Sequence, residues 1–246
     1  MPQGARGGSD RRDCYEVAMA PPAGPPAKPD PPELDDLRRQ LLAAAALGDP
    51  TERLLEVAAI VGEALADLGI QPVVVGGLAL AYWASGDEFV TGDIDVLIPR
   101  VPEVVERLEA LGFAPQGREW RLPGYDVSFE APGEVLEPGD EAEWAELASG
   151  RRVKVLSIED MLLWRLREWL HWHHASGFHQ AAHLLLSEEL DGARLEHRAE
   201  EEGLAHALQA LRALTAEIEG GRVVEEWEIV ELGREVERQS YSPNGR

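Results

Sequence analysis

The chain has 246 residues, enough to bury one substantial core or one catalytic domain with a helical appendage. Its 23 basic and 46 acidic residues leave a net charge of −23, which repels phosphate backbones and argues against sequence-independent nucleic-acid binding. The lone cysteine, Cys14, cannot form an intramolecular disulfide, and no apolar run approaches a membrane span, so a cytoplasmic protein with no membrane partner is expected.

Residues 1–32 contain Pro21-Pro22, Pro25-Pro26 and Pro31-Pro32 with few apolar side chains, so a disordered Pro/Gly-rich tail is predicted, in which Met19 offers a second candidate translation start. Leu34, Leu37, Leu41 and Leu42 then recur at helical spacing up to Gly48-Asp49-Pro50. Thr51 reads as the N-cap of a second helix carrying Leu54, Leu55, Ala58, Val61 and Leu65 and ended by Gly69. A strand over 71–75 follows, then a short helix over 78–85 and a second strand over 93–98, closed by Pro99. Pro102 opens a helix that runs to Gly112.

Two extended segments, 113–121 and 125–130, are separated by the turn Pro123-Gly124. The loop around Glu137-Pro138-Gly139-Asp140 is expected to lead into a short acidic helix near Trp144. Residues 151–156 alternate as a strand, and Ser157-Ile158-Glu159-Asp160 starts an amphipathic helix in the manner of a capping box. Helices are expected from Gly177 almost to the end, with Leu204, Leu208, Leu211 and Leu214 as an ordinary core stripe; residues 223–229 fit no single element. The expected fold class is α+β (mixed α/β): a small mixed β-sheet with helices over 33–175, followed by a helical C-terminal region over 176–246.

One stretch carries chemistry. The apolar run 72–75 ends in Gly76-Gly77, where a backbone without Cβ atoms can approach a phosphate closely. Asp93 and Asp95 flank one apolar residue on the next strand, so both carboxylates point the same way and can hold one hard cation between them.

This order of glycine pair, short helix and Asp-x-Asp strand resembles the DNA polymerase β-like nucleotidyltransferase superfamily. The Gly77 to Asp93 interval and Thr91 look more like the AbiEii-type and related uncharacterised bacterial nucleotidyltransferases. The resemblance implies a nucleotidyltransferase-like domain over 33–175 that uses two Mg2+ ions with an NTP substrate. It places Asp93 and Asp95 on magnesium with the triphosphate oxygens, and Gly76 and Gly77 with their N–H groups against the phosphates. Thr91 would orient Asp93 or a phosphate. The third acid of the set belongs on a later strand: Asp126 fits best, because Tyr125, Val127 and Phe129 alternate with it, and Glu130 is the alternative. Arg165 stands where relatives often carry a Lys; it could meet the triphosphate, pair with Glu168 or lie in solvent. The implied reaction moves a nucleoside monophosphate onto a hydroxyl of a small-molecule, protein or RNA acceptor.

Phe89 stands where relatives often have Arg, and Gln180 where they show an acid. With the strong acidity, these departures motivate an alternative: a non-catalytic antitoxin or regulatory module acting through a protein partner. His179-Gln180-Ala181-Ala182-His183 has the spacing of the zinc motif H-E-x-x-H but lacks its Glu, which favours a structural role over a metal site.

Overall fold

The computed structural model describes residues 34–84, 89–187 and 189–240; the predicted N-terminal tail lies outside them. The elements, in chain order, are α1 (Leu34–Ala44), α2 (Pro50–Leu65), β1 (Val73–Val74), α3 (Gly76–Trp83), β2 (Asp93–Leu97), α4 (Pro102–Leu111), β3 (Ala114–Gln116) and β4 (Glu119–Arg121). They continue as β5 (Ser128–Gly133), β6 (Ala142–Glu146), β7 (Arg152–Leu156), α5 (Ile158–Trp172), α6 (Ala175–Leu185), α7 (Gly192–Glu201), α8 (Ala205–Glu219) and α9 (Glu226–Ser240). The result is a mixed α/β protein.

The seven strands form one mixed sheet in the order β3-β4-β5-β2-β1-β7-β6. β2 pairs antiparallel with β1 and parallel with β5, and β1 pairs parallel with β7. Alternation then divides the sheet into two faces. Ile94, Val96, Val74, Val153, Val155, Ala145 and Phe129 are buried on one, against which α2 lies; Asp93 and Asp95 stand on the other. The later helices gather around α5, whose buried Trp169 donates from Nε1 to the Ile229 carbonyl of α9 (2.9 Å) and meets the Phe178 ring of α6 edge-on, 5.2 Å between centroids.

Four local expectations are corrected. The second helix is capped by Asp49, not Thr51: the Asp49 carboxylate accepts from the Glu52 N–H (2.7 Å), and Pro50 takes the first helical turn, where its missing N–H costs nothing. The extended segment 113–121 is a hairpin, β3 with β4, turning at Gly117 with φ +68°. The strand expected from Tyr125 begins only at Ser128 and runs on to Gly133. The segment near Trp144 is the edge strand β6 rather than a helix. Ala145 alone of its residues is fully buried, and pairing with β7 satisfies a backbone that too few apolar positions could support as a helix.

Candidate active site

The glycine pair and the acid strand are built against each other. The Val75 N–H donates to the Asp95 carbonyl (2.9 Å), so β1 delivers the chain to β2 just before Gly76 turns with φ +61°. A Cβ at Gly76 would lie 2.1 Å from Oδ2 of Asp95, and one at Gly77 would lie 2.8 Å from Oγ1 of Thr91. At Gly76 the positive φ and that contact both require glycine; at Gly77 a side chain would have to displace Thr91. The Gly77 N–H donates to the Asp95 carboxylate, and no side chain caps the start of α3. The positive end of that helix therefore opens beside the acids.

Thr91 donates its hydroxyl to Oδ1 of Asp93 (2.7 Å), fixing that carboxylate. Across the parallel β2–β5 pair, Asp93 sits opposite Ser128 and Asp95 opposite Glu130. Burial, Asp93 and Glu130 together push the Asp95 carboxyl up to about 6, against the opposing pull of the Gly77 N–H and Arg165. Asp126 lies outside this group, exposed in the turn that precedes β5.

Arg165 reaches the site from α5. Its Nη1 pairs with Glu168 (2.6 Å), while its Nε is buried without a hydrogen-bond partner among the described residues. Phe89 packs edge-on to the ring of His183, centroids 5.2 Å apart, whereas His179 is exposed and meets Phe178. The His179 to His183 spacing thus serves ring packing on α6.

A second acidic cluster was not legible as such in the sequence. Among the described residues, only Asp140, Asp160 and Glu202 bring three acidic or imidazole ligand atoms within 4.8 Å of one another. These three could hold a cation by spacing alone. Arg198 already sits among them, with Nη2 on Asp140 (2.9 Å) and Glu202 (2.6 Å) and Nε on Asp160 (3.2 Å). Asp160 is fully buried, yet bonds from the Glu141 N–H, the Ser157 hydroxyl and Arg194 outweigh burial and hold its carboxyl below the ordinary range. The cluster is a cross-brace between α5, α7 and the loop before β6. Its sequence signal was Arg194 and Arg198, four apart on a helix face shared with the buried Leu195 and Ala199.

No protein-family model and no curated protein matches the chain. Among solved structures, it is similar to an antigenic nucleotidyltransferase-like protein from Paracoccidioides brasiliensis, at 17% identity over 63% of this chain and 92% of that one, with a TM-score of 0.44. It is also similar to the antibiotic-resistance factor ANT(2'')-Ia, at 16% identity over 76% of this chain and 97% of that one, with a TM-score of 0.39. Neither likeness assigns an activity to this chain.

Proposed function

We infer that Asp93, Asp95 and Glu130, with the start of α3, form the active site of a magnesium-dependent nucleotidyltransferase. The observation that carries the reading is the Gly76-Gly77 turn. The missing Cβ atoms let a helix N-terminus stand in contact with Asp95 and Thr91, which brings its N–H groups and the acids of β2 to one place.

The donor chemistry suits a hard divalent cation: carboxylates on adjacent strands, one of them raised to about 6 by burial and then by its acidic neighbours, their oxygens standing farther apart than the 4.8 Å of the Asp140 cluster. When bound, Mg2+ supplies Lewis-acid polarisation and charge neutralisation at the phosphates of the NTP, with Asp93, Asp95 and Glu130 as its ligands. The positive end of α3 would meet the phosphate oxygens, and the Arg165 charge, which already acts on Asp95, would add to it. Thr91 keeps Asp93 turned into the site. The acceptor hydroxyl forms the new O–P bond at the α-phosphorus, the bridging bond to the β-phosphate breaks, and pyrophosphate leaves. Glu130, directly opposite Asp95, receives the hydroxyl proton at a carboxylate oxygen; it takes the place of the third acid, for which the sequence alone favours Asp126. The AbiEii-type affinity rests on Thr91 and the Gly77 to Asp93 interval alone.

Incubation with α-labelled NTPs, magnesium and lysate tests the reading. Label is expected on an acceptor, and it is expected to vanish in the Asp93→Ala/Asp95→Ala chain; equal labelling by that variant would refute it. Phe89 favours the second reading, a non-catalytic module with a protein partner, because it stands where the resembled family often carries an Arg and its ring packs on His183 instead. A stoichiometric basic partner, with no magnesium-dependent NTP binding, would select it.

A further inference from the structure

Trp144 stands on the edge strand β6 with 44% of its surface exposed. Lys154 lies directly across from it on β7, with Nζ 5.5 Å from the ring centroid, and the guanidinium carbon of Arg152 lies 4.8 Å from it. The register Leu97–Val73–Lys154–Trp144 runs across four strands, so these side chains share the sheet face of Asp93 and Asp95. A cavity of about 430 Å³ adjoins the ring, lined by Trp144, Arg152, Arg151, Gln71, Glu63 and Ser149.

The cations here are unusual for this chain. Lys154 is one of only two lysines in a sequence of net charge −23. Among the described residues, neither Lys154 nor Arg152 makes an ion pair, although Glu146 sits directly across from Arg152. Both instead lie over the indole ring. The core does not need that ring, since Ala145, Val153 and Val155 of the same hairpin are buried on the opposite face. A half-exposed indole with two cations on it matches a planar base joined to a phosphate: the base stacks on the exposed part of the ring system, and the anion meets the charges. A lone phosphate leaves the ring unused, and an uncharged nucleoside leaves the cations unused.

We propose that Trp144, Arg152 and Lys154 form a binding platform for a nucleotide unit, a base with its adjoining phosphate. The unit comes either as a free nucleotide or as the terminal residue of single-stranded RNA. The acidity of the remaining surface confines the contact to one or two nucleotides rather than a long tract. β6 lies three strand spacings from β2, roughly 14 Å, so the platform is separate from the acid edge and its binding does not depend on the transfer reaction.

Calorimetry on the full chain in EDTA tests this, with AMP, adenosine, orthophosphate and a hexa-adenylate RNA as probes. AMP or the RNA is expected to bind, with adenosine and orthophosphate each weaker. Trp144→Ala is expected to lower that affinity about tenfold or more, the size of a stacking contribution, and Trp144→Phe to recover part of it. The Arg152→Gln/Lys154→Gln pair is expected to weaken binding and flatten its salt dependence. RNA binding far tighter than AMP identifies a strand end, and equal affinities identify the free nucleotide. The Asp93→Asn/Asp95→Asn chain is expected to bind as wild type does, which keeps this result apart from the fate of the acid edge. Absence of binding by both AMP and RNA overturns the proposal, as does undiminished binding by Trp144→Ala. Should Trp144→Ala fail to fold by circular dichroism, undiminished binding by the double variant overturns it instead.

Discussion

Replacing Asp95 by Asn is expected to make the metal-free protein more stable while abolishing its activity. The Asp95 carboxyl is raised from 3.8 to about 6, so at neutral pH the folded chain bears the cost of an ionised group that burial, Asp93 and Glu130 disfavour. That shift corresponds to roughly 3 kcal/mol. Asp95 is only half-buried, and solvent screening reduces the figure to about 1–1.5 kcal/mol. An Asn keeps the bond from the Gly77 N–H and loses the charge. For a chain of this size the gain corresponds to a Tm higher by about 2–5 °C. The sign follows from linkage: with a raised folded-state value, the folded chain binds more protons than the unfolded chain between 3.8 and about 6, so wild-type stability falls as pH rises through that window. Thermal melts of both chains in EDTA across that range check this, because contributions from other carboxylates cancel in the difference. The gap is expected to open from near zero below 3.8 to its full size above 6. A variant less stable than wild type at neutral pH, or a gap that does not change with pH, would refute the electrostatic account.

Gly76→Ala is expected to cost about 1–3 kcal/mol from its positive φ alone, and more from the contact with Asp95, with loss of NTP binding measured by calorimetry. Glu130→Gln is expected to reduce labelling by about 10³-fold while Asp126→Asn leaves it intact; the reverse order would return the third acid to Asp126. Arg198→Met leaves Asp140 buried without its paired cation and removes one of the two held by Asp160, and is expected to destabilise by about 3–5 kcal/mol in urea melts.

The elements with strong local signals were legible in the sequence. The Pro102 start and Gly112 stop of α4 and the Ser157 cap of α5 follow from backbone chemistry that acts over one turn. The Asp-x-Asp strand and the glycine pair were legible for the same reason: alternation and missing Cβ atoms are properties of the chain itself. What failed depended on distant partners. β6 carries too little apolar surface to announce a strand, and its pairing with β7 alone decides it. That Glu130 rather than Asp126 lies opposite Asp95 follows from the register of β5 against β2, which alternation within one segment cannot supply, since both residues fall on the same parity. The Arg194 and Arg198 brace joins residues 58 positions apart in the chain, from Asp140 to Arg198, so the arginine pair on one helix face could not name its acidic partners.

The claim that the acid edge and the start of α3 form a metal and triphosphate site is tested most directly by titrating a non-hydrolysable NTP analogue into the protein with and without magnesium. The account predicts binding that requires the metal and is lost in Asp93→Asn/Asp95→Asn, although that chain remains folded. Binding of equal strength in EDTA, or binding retained by the double variant, would contradict it.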